Sequence, residues 1–212
     1  MNKNHSIAND ILVISYYLNK NHWENVSKTN YQRILYFSAA LSPIFAPEYN
    51  WNYYFSNTIF GPYNSEIADS LQKLSVKGFI RITERKVSGN RVFENYCITQ
   101  IGIDMCENIL FKIDFELEKY FCFNIIVKVL SIYGSEFLVK LVKTDPNINA
   151  LNKIKKMSRI STDNTEDNLS KEFFVFLKEN SKRKNDKITD EDNLLLFFDV
   201  LYRKYKGGSN NE

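Results

Sequence analysis

The stretch Gly61–Leu110, GPYNSEIADSLQKLSVKGFIRITERKVSGNRVFENYCITQIGIDMCENIL, decides the fold. Ile67, Leu71 and Leu74 recur at helical spacing, with Ala68 beside them. Asn64 or Ser65 can cap the first turn by accepting from an orphan backbone N–H. Gly78 ends this helix, because glycine takes the left-handed position after a helix at little cost, and Phe79 then folds back on Leu74. From Ile80 the period changes to two. Ile80 and Ile82 share one face, and Val92, Glu94, Tyr96 and Ile98 share one face of a returning strand. Ser88-Gly89-Asn90 between them suits a hairpin turn. Thr99 is placed to N-cap a second helix bearing Ile103, Cys106, Ile109 and Leu110.

Outward from this helix–hairpin–helix unit the chain is mostly helical. Residues 8–19 predict a helix with Ile11, Leu12, Ser15 and Leu18 inward. Residues 29–41 predict another, with Tyr31, Ile34, Leu35, Ser38 and Leu41 on its apolar face. Pro43 and Pro47 are expected to break the chain. Trp51–Phe60 reads as a short strand, and Pro62 as the turn into the next helix. Residues 100–132 read as two helices broken near Tyr120–Phe123, with a stop at Tyr133-Gly134. A further helix over 135–143 ends before Asp145-Pro146. Residues 147–157 carry Ile148, Leu151, Ile154 and a basic cluster, and Ser158–Asn168 reads as a polar linker. Helices over 169–183 and 190–205 follow. The expected fold is mainly α with a small β-hairpin: a winged helix-turn-helix domain over 1–122, an α-helical region over 123–206 and a disordered tail over 207–212.

With 212 residues, 44% of them hydrophobic and 15% aromatic, the chain has ample material for a core. No run of about 18 apolar residues predicts a membrane span. The N-terminal MNKNHSIANDILVISYYL is interrupted by polar residues and lacks a small-residue cleavage site. No signal peptide is expected, and the cytoplasm is the expected compartment. Cys97, Cys106 and Cys122 lack metal-type spacing and read as small buried hydrophobes. His5 and His22 are the only histidines, which argues against a histidine-based metal or acid–base centre.

No phosphate-binding loop, dinucleotide fingerprint, zinc-protease motif or nucleophile elbow is present. The acidic groups Glu116/Glu118, Glu166/Asp167 and Asp190-Glu191-Asp192 lie in polar stretches or at helix starts, where the dipole favours them. No enzyme activity, catalytic residue, metal or cofactor is therefore expected. DNA binding is the serious alternative. The helix before the hairpin would expose Ser65, Asp69, Gln72, Lys73 and Val76, with Glu66 near its start; Gln72 could read adenine. The candidate DNA-binding residues are Gln72, Lys73, Lys77, Arg81, Arg85, Lys86 and Arg91. Residues 61–98 hold six Lys/Arg and four Asp/Glu, a net of +2. That is modest beside the roughly six or more phosphates a tight specific binder neutralises. The last two helices are rich in Phe and Leu. Phe173, Phe174, Phe176, Phe197, Phe198 and Tyr202 are the candidate partner-binding residues, as large aromatics concentrate binding energy.

Several motifs carry a resemblance. Tyr96-x-Ile98-Thr99-x-x-Gly102 resembles the Y-x-L-T-x-x-G that closes the wing of many bacterial winged-helix proteins. Phe60-Gly61-Pro62-Tyr63-Asn64-Ser65-Glu66, with Leu71, Leu74 and Lys77-Gly78-Phe79-Ile80, is similar to a group that opens with Y-G-P-Y-S-x-x-L and closes the helix with L-x-x-x-G-L-I. It departs at Phe60 for Tyr and at Asn64 where Ser is usual. Tyr133-Gly134-Ser135-Glu136, Leu138–Val142 and Asp145-Pro146 resemble the Y-G-x-x-x-L-x-x-L-V-x-x-D/E-P stretch in middle components of ABC three-component, Lamassu-like anti-phage defence systems. The resemblance spans residues 60–146. It implies a non-catalytic subunit that bridges or restrains an effector, often a nuclease, relative to an SMC-like ATPase of the same operon. DNA would be a further partner, with no membrane and no small-molecule substrate. The alternative is a winged-helix DNA-binding transcriptional regulator or antitoxin.

Overall fold

The computed structural model describes residues 3–47, 49, 51, 54–89, 91–153, 159–182 and 188–209. It is mainly α-helical, with two small three-stranded antiparallel sheets. Among the described residues, no helix is long and apolar enough to cross a membrane.

Helix α1 (Lys3–Lys20) and helix α2 (Lys28–Phe45) flank a two-residue strand, β1 (Val26–Ser27). Both helices bury the faces that their periodicity marks: Ile11, Leu12, Ser15 and Leu18 on α1, and Tyr31, Ile34, Leu35, Ser38 and Leu41 on α2. Pro43 does not break α2 but lies inside it. Proline cannot donate to the carbonyl four residues back. Here that carbonyl, of Ala39, instead accepts from Ser42 Oγ at 2.9 Å.

The region after α2 departs from expectation. Strand β2 (Phe55–Thr58) and strand β3 (Gly61–Tyr63) form a hairpin, so Pro62 lies within a strand opposite Asn57. Helix α3 (Ser65–Val76) then starts at Asn64, whose side-chain oxygen accepts from the backbone N–H of Glu66 and Ile67. It ends as read: Gly78, at φ 78°, donates to the Ser75 carbonyl and Phe79 to that of Leu74.

Strands β4 (Ile80–Ser88) and β5 (Arg91–Ile98) form the long hairpin, and β1 pairs with β5, Val26 opposite Tyr96. Glu94, Tyr96 and Ile98 are buried along one face of β5. A register shift between Ile82 and Glu84 ends the alternation on β4, and beyond Ile80 that strand is exposed. Of the expected turn, Asn90 lies outside the described residues.

Helix α4 (Gln100–Asn108) explains the Thr-x-x-Gly signature. Thr99 Oγ1 donates toward the Gly78 and Phe79 carbonyls at 2.6 and 3.0 Å, and accepts from the Gly102 N–H. A Cβ on Gly102 would stand 2.2 Å from the Phe79 carbonyl oxygen. The helix start can sit on the preceding turn only without a side chain there.

The break after α4 falls at two short 3₁₀ turns, 110–112 and 114–116, rather than near Tyr120–Phe123. Helix α5 (Leu117–Thr144) follows, interrupted at Gly134, where φ is 72° and ψ −178°. Helix α6 (Pro146–Lys153) comes next; Ile154 and the basic cluster beyond Lys153 lie outside the described residues. The expected linker is not loose. Strand β6 (Arg159–Ile160) pairs with β2, and Ile160, Thr162 and Asn168 are buried. Helices α7 (Leu169–Lys182) and α8 (Asp190–Ser209) close the chain, α8 within a box in which Thr189 and Asp192 cap each other. Helix α8 runs three residues into the expected tail, and 210–212 lie outside the described residues. One buried cluster runs from Ile7 to Leu201, with α5 central: it meets α1, α2 and α8.

A buried polar knot ties these parts together. Asp145 is fully buried and accepts from Tyr36 Oη at 2.6 Å, Ser170 Oγ at 2.6 Å and the Ile148 N–H at 3.2 Å. Asn147 and Asn168 extend it to the Ser161 and Ala40 carbonyls. Burial pushes the Asp145 carboxyl above its ordinary pKa, although these donors oppose that.

Candidate functional site

The helix–hairpin module presents its candidates to solvent. Gln72 and Lys73 are exposed on α3 and Lys77 at its C-cap, together with Ser65, Glu66, Asp69 and Val76. Arg81, Arg85 and Lys86 are exposed on β4, and Arg91 on β5. Most of the hairpin cations are already engaged. Arg85 Nε lies 3.3 Å from Glu94, Lys86 Nζ 2.7 Å from Glu84, and Arg81 Nε donates to Cys97 Sγ at 3.1 Å. Glu94 also accepts from Tyr96 Oη at 2.7 Å and lies 3.9 Å from Lys28. The exposed Lys86–Glu84 pair contributes little stability, and both acids dilute the field that a phosphate would meet.

Arg91 leads to a feature the sequence did not reveal. Its guanidinium sits 4.8 Å from the ring centre of Phe60, at the turn of the β2–β3 hairpin. The two hairpins thus meet near their tips, over a groove of about 790 Å³. The first turns of α2 form its floor, with Lys28, Gln32 and Arg33; Phe60, Tyr63 and Phe93 supply aromatic walls. All three rings are exposed.

Arg33 is the unusual member. It is half-buried, held by Asn30 Oδ1 at 2.8 Å and by a long 3.4 Å bond to the Phe60 carbonyl, while its Nε has no partner. Burial pulls its pKa below the ordinary guanidinium value, with no carboxylate partner to offset the cost. Two of the polar side chains around it are occupied. Gln32 makes two bonds to the Asn64 backbone, and Thr58 Oγ1 bonds the Gly61 carbonyl and the Phe60 N–H. The groove offers aromatic faces and cations, with its amide side chain, Gln32, engaged by the backbone. Arg33 is the one charge past the first turn of α2, a sequence signal that points here beside Arg91.

No protein-family model and no curated protein matches this chain. The site rests on its own geometry.

The aromatic candidates in the last two helices do not form one exposed face. Phe174, Phe197 and Phe198 are fully buried, Phe197 and Phe198 stacking edge-to-face and Phe198 against Phe37. Phe173 and Tyr202 are half-buried against the same core, and Phe176 alone is exposed. Their spacing marked an apolar face, and that face is covered by this chain's own helices. The exposed large apolar residues on the C-terminal side of the module instead include Ile109, Phe115, Phe121 and Ile132, on and before α5.

Proposed function

We propose that the module Gly61–Leu110, with α1, β1 and α2, is a winged helix, and that the chain is a non-catalytic subunit of a bacterial anti-phage defence complex. In that role it bridges or restrains an effector relative to an SMC-like ATPase, and its hairpin contacts DNA. The order α1, β1, α2, α3, β4, β5, α4, with the β2–β3 hairpin set between α2 and α3 and with β1 paired to β5, supports the winged-helix reading. The observation that carries the assembly role is the division of charge on the module. Glu66 and Asp69 stand on the exposed face of α3, where a major-groove reader would meet phosphate. The cations stand on the hairpin, and several are paired with acids. Such a surface suits a contact made as one part of a larger assembly. The stretch resembling the middle components, Tyr133–Pro146, contains the Gly134 interruption and the Asp145 knot, so its residues are structural, as a scaffold's would be.

Co-expression with the products of the adjacent genes, followed by size-exclusion chromatography, tests this. The chain is expected to elute with the ATPase. A lone species that binds its own upstream DNA, and loses it on Arg85→Glu with Lys86→Glu, would instead favour the regulator reading, which the exposed Arg81, Arg85, Lys86 and Arg91 support.

A further inference from the structure

We propose that the groove between the two hairpins binds single-stranded DNA, stacking unpaired bases on Phe60, Phe93 and Tyr63 with phosphates against Arg33 and Arg91. This extends the hairpin's DNA contact to a second surface, away from α3, and defines the form of DNA it takes. Its charge calls for an anion. Lys28, Arg33 and Arg91 line it against one acid, Glu94, which Arg85 and Tyr96 hold and which lies 3.9 Å from Lys28, so the anion's partners are Arg33 and Arg91. Arg33 is withdrawn from water with no carboxylate partner, so a phosphate would supply the counter-charge that the fold omits. The α2 N-terminus adds its positive dipole end to the same floor. Its walls call for flat apolar faces. Bases within a duplex are covered by their neighbours, and only an unpaired base can lie on a phenyl ring. Gln32, the one amide side chain of the lining, is engaged by the Asn64 backbone and cannot make the paired donor–acceptor contact that selects a base, which fits a strand bound without regard to sequence better than one selected nucleotide.

Fluorescence anisotropy of the full chain with short labelled oligothymidine, at low salt, tests this. The strand is expected to bind more tightly than a duplex of equal length. Phe60→Ala and Phe93→Ala should each weaken it roughly tenfold, and Phe93→Trp should retain it. Both rings are exposed, so these variants should fold. Arg91→Ala should lower the slope of log affinity against log salt by about 0.7. Equal affinity for duplex, with both alanine variants silent, would overturn the groove in favour of simple charge attraction. Displacement by free dTMP at matched nucleotide concentration would overturn the strand in favour of a mononucleotide. Co-elution with the ATPase, read on the same variants, separates the two proposals. Its retention alongside lost strand binding supports the groove and the assembly together, and its absence in the unmutated chain, with strand binding intact, removes only the assembly.

Discussion

Lys119 and Arg33 are both cations withdrawn from water, and the protein treats them in opposite ways. Lys119 is buried in the core beside Asp10, at 2.7 Å, and Glu116, with Tyr49 Oη at 3.2 Å. Burial alone would lower its pKa, but these neighbours outweigh that and hold it above the ordinary lysine value. Arg33 has amide and carbonyl contacts and no carboxylate, and its pKa moves down. A charge that serves the fold is neutralised within it. A charge left without a counter-ion beside a groove is available to something from outside. Asp145 is a third solution, a buried carboxylate satisfied by hydroxyls and backbone N–H groups.

The largest effect should come from breaking the first arrangement. Lys119→Met removes the buried cation from beside Asp10 and Glu116 and is expected to cost about 3–5 kcal/mol in urea unfolding. Next is Asp145→Ala, which leaves the Tyr36 and Ser170 hydroxyls without their acceptor and should cost about 1–3 kcal/mol. Asp145→Asn keeps an acceptor and should cost less. Its pH behaviour is also distinctive. A carboxyl with a raised folded-state pKa is favoured when protonated, so stability should fall as pH rises from about 4, the ordinary Asp value, to that raised value. Asp145→Asn should flatten this fall, and a profile unchanged by the substitution would contradict the account. The smallest stability effect should be that of Arg33→Met, within about 1 kcal/mol, because relief of desolvation offsets two lost hydrogen bonds. The same variant should lose oligothymidine binding. A large stability loss instead would place Arg33 with Lys119 as a structural charge.

The sequence was informative where the determinants are local. Gly78 after Leu74, Thr99 before Gly102 and the alternation Glu94, Tyr96, Ile98 each specify their own neighbourhood, and the helix–hairpin–helix unit followed from them. The β2–β3–β6 sheet did not, because a two-residue strand has no period and its partner lies about a hundred residues away. The groove was hidden for the same reason. Its walls come from segments 27–33, 58–63 and 91–94, and of these only Arg91 had been read as a candidate DNA-binding residue. The aromatics of α7 and α8 failed differently. Periodicity shows which face of a helix is apolar, not what covers it, and Phe37 covers Phe198 here.

The pairing of Phe55 with Ile160 also has a temporal side. A chain emerging from the ribosome exposes β2 long before β6 has been made. Through that interval the outer edge of Phe55–Thr58 has no ladder partner, and Phe37 lacks its lid from α8. Synthesis at about 5–20 residues per second makes this wait several seconds. Any truncation before residue 159 makes it permanent, presenting an unpaired strand edge to the next nascent chain.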